Sequence, residues 1–249
     1  MNSEKLLAHM GRREDFRFVT GQGRYTADMV PHDALHAVFV RSPIARGHLR
    51  HLSVDIARAA PNVVAVLTAL EAAQDGVANM VWTGAPVRDD GLAGVDSPRP
   101  LLNGSVIRHL GEPICMVVAK TRQAAMDALE LVDAVYDTDD AVALSIKDLN
   151  GPLVWPGAPD NIAALHRVGD KSAVDAALAA AATEVRFDFD VSKVTACPIE
   201  MRGALGSVDQ DGKLCLVTSV QSPFALHSEL AKLFDMPEDK IRVISPDVG

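Results

Sequence analysis

Positive charge is scarce in this chain: 24 lysines and arginines stand against 33 aspartates and glutamates, for a formal net charge of −9 over 249 residues. Proteins that neutralise a phosphate backbone need a cationic face. The one basic-looking stretch, Arg41 to His51 with Arg41, Arg46, His48, Arg50 and His51, is short and reads as solvated strand and turn, so no nucleic-acid partner is expected. Cysteine is nearly absent. Cys115, Cys197 and Cys215 form no C-x-x-C pair and are expected to be small core residues. Long apolar runs are missing too, since no segment reaches the roughly 18 apolar residues that a membrane-spanning helix needs. Met1 to Arg13 carries Glu4, Lys5, Arg12 and Arg13 and lacks the apolar stretch of a secretory signal, so the expected location is cytoplasmic.

Common catalytic signatures are equally lacking. There is no G-x-S-x-G, H-E-x-x-H, G-x-G-x-x-G or G-x-x-x-x-G-K-[ST]. Gly21-Gln22-Gly23 has no third glycine and reads as a turn. His48 and His51, three apart in a strand-like stretch, are expected on opposite faces and so as surface histidines rather than metal ligands.

What is present is a soluble-core composition, with 48% hydrophobic residues, and alternating strand and helix patterns. Leu35 to Val40, Asn62 to Thr68 and Ile114 to Ala119 read as strands. Arg122 to Ala134 reads as an amphipathic helix, with Ala125, Leu129 and Val132 on one face. Gly76 to Pro113 is a turn-rich excursion that includes Gly84-Ala85-Pro86 and Asp96-Ser97-Pro98. A second Pro- and Gly-rich stretch, from Asn150-Gly151-Pro152 to Pro159-Asp160, marks a domain linker. The expected organisation is therefore residues 1–150, a linker over 151–165, and a second part over 166–249.

Beyond the linker, Asp170 is placed to cap a helix over Lys171 to Ala182. Val185, Phe187, Phe189 and Val191 alternate strictly with Arg186, Asp188 and Asp190, the pattern of a half-buried antiparallel strand. Ala204 to Val208 and Leu214 to Val220 flank the hairpin turn Asp209-Gln210-Asp211-Gly212. Ser222-Pro223 opens a helix running to about Phe234, with Ser222 as its cap, and Ile241 to Ile244 is a final strand. The fold class is α+β.

Several segments resemble, in order and wording, the molybdenum-binding large subunit of the xanthine dehydrogenase and aldehyde oxidase family, the molybdenum hydroxylases. The likeness lies closest to the carbon monoxide dehydrogenase and bacterial aldehyde dehydrogenase-like branch. It begins with Gly11-Arg12-Arg13-Glu14-Asp15-Phe16 through Thr26-Ala27-Asp28, continues with Leu35-His36-Ala37-Val38-Phe39-Val40-Arg41-Ser42-Pro43, Pro61 to Thr68 and Gly111-Glu112-Pro113-Ile114, and runs into the helix after Arg122. The second half adds Pro198-Ile199-Glu200-Met201-Arg202-Gly203-Ala204, Ser219-Val220-Gln221-Ser222-Pro223 and Ile241 to Gly249. The resemblance implies an α/β hammerhead domain over 1–150, with its N-terminal extension, and over 166–249 the incomplete first part of a mixed α/β molybdopterin-binding domain. The chain departs from the family's wording at Met201, Phe224 and His227.

On this resemblance, the chain is the N-terminal portion of a subunit that hydroxylates an aldehyde or N-heteroaromatic carbon, with water as the oxygen source. Gln221 would face the molybdenum centre, where a neutral amide donates a hydrogen bond without adding charge. Gly249 would open a glycine-rich loop toward the molybdopterin cofactor, where a Cβ would block the approach. No direct metal ligand is implied. The glutamate that would act as base is expected beyond Gly249, so the chain alone is expected to be inactive. Partners implied are a complementary molybdopterin-binding segment, an iron–sulfur subunit and an FAD subunit. The alternative is a non-catalytic fragment or interaction module that keeps the hammerhead fold.

Overall fold

The structure is a computed structural model that describes residues 12–77, 79–80, 87–92, 94–95, 97–139, 151–158, 160–192 and 194–249. Gly11, the turn Gly84-Ala85-Pro86, Asp96, Asn150 and Pro159 lie outside the described residues. The chain divides into two compact units that interleave in sequence.

The first unit draws on 12–80, 99–139 and 198–249. Its first sheet has the order β1-β5-β3, built from β1 (His36–Arg41), β5 (Pro113–Ala119) and β3 (Val63–Thr68), with β5 antiparallel to both neighbours. The central strand is an apolar run in which Ile114, Cys115, Val117 and Ala119 are fully buried. Strand β5 is followed by α4 (Arg122–Leu129), which lays Ala125 and Ala128 into the core made with Val54, Ala57, Val66, Cys115, Val117 and Ala119. The small side chains let the helix backbone come close to the sheet. Thr121 starts α4 by accepting from the Ala124 N–H at 3.1 Å. This helix stops at Leu129 rather than at Ala134, because Asp133–Thr138 is taken into strand β6, and Val135 and Tyr136 pair there instead.

The second sheet has the order β4-β2-β6, with β2 (Gly47–Ser53), β4 (Val106–Ile107) and β6 (Asp133–Thr138). A bulge between Leu49 and His51 corrects the expectation for the two histidines. His48 and His51 oppose Asp137 and Val135, two residues apart on β6, so the extra residue brings both histidines to one face. His48 stands 3.7 Å from Asp139. Among the described residues no three His, Cys, Asp or Glu side chains gather into a metal-ligating group. Gly47, at φ 150°, lies so close to the Asp137 carbonyl oxygen that a Cβ there would overlap it.

Short helices α2 (Asp55–Arg58) and α3 (Ala69–Gln74) flank β3. A reciprocal cap begins α3: Thr68 accepts from the Leu70 N–H at 3.1 Å, and Glu71 accepts from the Thr68 N–H at 2.9 Å. The bond from the Thr68 hydroxyl, reinforced by Arg58, holds the Glu71 carboxyl down at about 2. Before β5, the buried pair Asn103 and Glu112 satisfies the turn. The Asn103 amide donates to Glu112 at 2.7 Å, and Glu112 accepts from the Arg108 N–H at 2.9 Å.

The third sheet has the order β7-β8-β9, from β7 (Ala204–Val208), β8 (Leu214–Thr218) and β9 (Ile241–Ile244). Strands β7 and β8 form the expected antiparallel hairpin, whose turn is closed by Asp209 accepting from the N–H groups of Asp211 and Lys213 at 3.0 and 2.9 Å. Helix α6 (Pro223–Leu233) then crosses over to β9, which pairs parallel with β8. Pro223 occupies the first turn as expected. The Ser222 side chain makes no capping bond, and the helix starts on the fixed φ of proline alone.

The second unit draws on 87–98 and 151–197. The buried Arg88 guanidinium organises it by donating to Asp160 at 2.7 Å, Asp90 at 2.6 Å and the Ile162 carbonyl at 2.9 Å. Arg88 in turn holds the Asp90 carboxyl at about 2. Backbone bonds join Asp89 to Leu165 at 3.1 Å and Val95 to Ala163 at 3.0 Å, so the Pro- and Gly-rich stretch from Gly151 is packed structure. Helix α5 (Lys171–Ala179) begins at Asp170, which accepts from the Ala173 N–H at 2.9 Å. The expected strand from Val185 to Val191 does not form: these residues belong to no helix or strand and are exposed throughout. Their alternation is intact, but no neighbouring strand among the described residues meets their backbone groups. Cys197 is exposed, against expectation, whereas Cys115 is buried and its thiol is pushed up to about 11 by that burial.

Candidate cofactor-facing site

Parallel pairing of β8 and β9 sends both strands out at the same end. Val217 lies opposite Ile244 in the ladder, and Gln221 and Gly249 follow a few residues beyond these partners. In sheets with parallel strands, ligands gather at the carboxyl ends, because loops diverge there and leave a crevice. The two exits are tied together by Ser245, whose hydroxyl donates to the Val220 carbonyl at 3.1 Å and lies 3.4 Å from the Val220 N–H.

The segment after β9 is also anchored to residues near the start of the chain. Asp247 takes a two-pronged bond from the Arg17 guanidinium, one arm of it 2.6 Å long, and accepts from the Arg24 N–H at 2.7 Å. Its own N–H donates to the Arg24 carbonyl at 3.0 Å. Arg17 comes from α1 (Asp15–Val19), and Thr26 opens a short 3-10 turn (Thr26–Met29) beside it. The Arg17 bond and the Arg24 N–H hold the Asp247 carboxyl at about 2.

A second carboxylate lies next to this anchor. Glu200 accepts from the Ser219 hydroxyl at 2.6 Å, from the Gly249 N–H at 2.7 Å and from the Thr26 N–H at 3.4 Å. Ser219 and Thr26 hydroxyls stand 3.1 Å apart and complete the cluster. The Ser219 bond, followed by that of Gly249, lowers the Glu200 pKa. Both carboxylates are therefore ionised and fully engaged at neutral pH. A low-pKa, fully bonded carboxylate is a poor proton acceptor, so this pair serves to position backbone.

Gln221 and Gly249, the two residues singled out in the sequence, thus emerge at one end of one sheet. Gln221 is exposed. Gly249 is hemmed in: an added Cβ would lie 2.6 Å from the Glu200 Cβ, so only glycine fits as the segment stands. The sequence reading missed the polar cluster of Arg17, Arg24, Thr26, Glu200, Ser219 and Asp247. All six sit in segments quoted above for their wording, and it is their partnership, across 174 to 230 residues for the longest bonds, that wording alone does not reveal. His227, a departure from the family pattern, pins the approach to β9, since its Nε2 lies 2.9 Å from the Glu238 carbonyl and 3.0 Å from that of Ile241.

Two three-stranded sheets with their helices, followed by a β-α-β unit with a glycine beyond the strand exit, make an α+β architecture. Comparison with known proteins agrees. Residues 20–140 match the aldehyde oxidase and xanthine dehydrogenase a/b hammerhead domain, and residues 154–249 match the molybdopterin cofactor-binding domain. The chain belongs to the xanthine dehydrogenase and aldehyde oxidase family.

Among its relatives, the nicotine 6-hydroxylase large subunit of Paenarthrobacter nicotinovorans is 32% identical over 96% of this chain and 29% of its own length. The carbon monoxide dehydrogenase large chain of Hydrogenophaga pseudoflava is 30% identical over 95% of this chain and 30% of its own. The crystal structure of quinoline 2-oxidoreductase from Pseudomonas putida 86 superposes with a TM-score of 0.82 at 32% identity, covering 96% of this chain and 30% of that one. The chain therefore spans about 30% of the length of the relatives it matches.

Proposed function

We propose that this chain supplies the hammerhead and one wall of the cofactor site in a molybdenum hydroxylase large subunit. The assembled enzyme would hydroxylate an aldehyde or N-heteroaromatic carbon. The observation that carries this reading is the convergence of Gln221 and Gly249 at the carboxyl ends of parallel β8 and β9. The fit to a molybdopterin cofactor rests on two counts: the position at Gly249 admits no side chain, and the neighbouring carboxylates are turned to Arg17 and to hydroxyl and backbone donors, while the neutral amide of Gln221 is exposed.

When bound, the cofactor supplies the redox chemistry that places an oxygen from water on the substrate carbon. The chain's own residues have narrower tasks. Gln221 donates a hydrogen bond from its amide, Ser245 keeps the two strand exits in register, and Glu200 and Asp247 hold the backbone of the final residues still. The proton acceptor comes from the complementary part of the subunit. Iron–sulfur and FAD partners carry the electrons away, and a cytoplasmic location goes with that assembly. The domain limits that accompany this reading are 1–150 for the hammerhead and 166–249 for the cofactor-facing part, with 151–165 as the connection between them, itself packed through its bonds to 87–95.

The test is an oxidation assay with aldehyde and purine substrates and an artificial electron acceptor. The purified chain alone is expected to show no turnover, while co-expression with a complementary molybdopterin-binding segment restores it and Gln221→Ala then lowers it at least tenfold. Turnover by the chain alone overturns the reading.

A further inference from the structure

The segment from Val185 to Val191 is at odds with itself. Its sequence has the strict period-two alternation of a half-buried strand, with valine and phenylalanine on one side and Arg186, Asp188 and Asp190 on the other. Yet Val185, Phe187, Phe189 and Val191 are 70%, 72%, 82% and 88% exposed. The side chains already share one face: the rings of Phe187 and Phe189 stack with centroids 6.0 Å apart, close to the two-residue repeat of an extended strand. No proline interrupts the segment, so every residue has an N–H to donate. An apolar stripe of this length left in water is characteristic of a surface that another polypeptide covers.

We infer that residues 185–191 are a strand awaiting its sheet, and that the occupant is a β-strand of the complementary part of the large subunit. This rests on the functional reading above. The relatives carry about 70% of their length outside the region this chain matches, which is ample to supply that strand. A second copy of this chain is the rival occupant: parallel in-register pairing would stack like charges, whereas antiparallel pairing would set Arg186 against Asp188 or Asp190, so the oligomeric state of the free chain is one arm of the test. The fitting partner strand carries alternating apolar residues on one face and lysine or arginine opposite Asp188 and Asp190 on the other.

The test is hydrogen exchange read by mass spectrometry. It uses the full chain, alone and co-purified with a co-expressed probe: the part of the Hydrogenophaga pseudoflava carbon monoxide dehydrogenase large chain that this chain does not match. Alone, amides 185–191 are expected to exchange at the unprotected rate in a monomer. In the complex they slow at least a hundredfold. The double variant Phe187→Asp/Phe189→Asp melts at the same temperature as the parent chain but loses capture of the probe. A complex in which 185–191 stays unprotected, or one indifferent to the double variant, overturns the strand assignment and leaves the functional reading intact. Absence of any complex overturns both. Protection of 185–191 in the chain alone, or its appearance through dimerisation, overturns the choice of occupant.

Discussion

Strand β5 and the segment 185–191 have similar apolar character and opposite fates. In β5, flanked by β1 and β3 and covered by α4, Ile114, Cys115, Val117 and Ala119 are fully buried. In 185–191 the apolar residues stand in water. Sequence pattern selects which side chains share a face. Burial is decided by whether a partner arrives for that face, and a backbone ladder is part of what the partner brings.

The sharpest way to break this comparison is one charge in each place. Val117→Asp puts an unpaired carboxylate between β1 and β3 and is expected to cost more than about 4 kcal/mol, abolishing cooperative urea unfolding. Phe187→Asp is expected to move the urea midpoint by less than about 0.5 kcal/mol equivalent, since the ring is exposed and stacks only on the equally exposed Phe189 among the described residues. Similar midpoint losses from both would refute the contrast.

Two glycines extend the comparison from side chains to backbone. Gly47 sits under the Asp137 carbonyl at a φ that other residues avoid, whereas Gly206 in β7 has open space where a Cβ would go. Gly47→Ala should cost about 2–4 kcal/mol. Gly206→Ala should be neutral or stabilise by about 0.5 kcal/mol. Thermal melting of the two variants decides the point.

Acid separates the anchored end of the chain from its core. The Asp247 carboxyl is held at about 2, well below its ordinary range, and the Glu200 carboxyl is lowered as well. A carboxylate whose folded pKa is depressed contributes stability that is present above the unfolded value, near about 4, and is lost as pH falls through the folded one. Amide exchange at 245–249, corrected for its intrinsic pH dependence, is thus expected to accelerate from about pH 4 down to 2, while that of β5 stays slow. Arg17→Gln should bring roughly tenfold faster exchange at 245–249 already at pH 7 and flatten the acid response. An unchanged profile in Arg17→Gln would show that Asp247 is held by something else.

Helix starts provide the smallest contrast. Thr121 caps α4 with its side chain, and Ser222 makes no such bond to α6. Thr121→Ala should cost about 1 kcal/mol, and Ser222→Ala less than about 0.5 kcal/mol. Equal losses in chemical denaturation would contradict the observed capping.

Much of this architecture was legible in the sequence because its signals are local. The apolar runs at β1, β3 and β5, the cap at Asp170 and the turn at Asp209 to Gly212 each depend on residues within a few positions of one another. The helix expected after Arg122 is too long because Val132 continues its apolar stripe up to the edge of β6, and it is the pairing of Asp133 and Ala134 with β2 that settles the matter. The two histidines changed faces through a bulge, which no spacing rule reveals. Gln221 and Gly249 were visible through resemblance. The carboxylate cluster behind them was not, because Glu200 and Asp247 act through partners far away in the chain. The strand expected at 185–191 is absent for the complementary reason: its local signal is strong, and no strand among the described residues pairs with it.

The bond between Arg17 and Asp247 also fixes an order of events. These residues are separated by 230 positions. At a synthesis rate of about 5–20 residues per second, the helix that carries Arg17 leaves the ribosome roughly 10–50 s before its counterpart has been made. For that time the early segment has no anchor, while the hammerhead strands, complete once Thr138 has emerged, are free to pair among themselves. The segment around Arg17 is thus made well before the strand exit it docks to, and its docking reports that the exit behind Gly249 has been built.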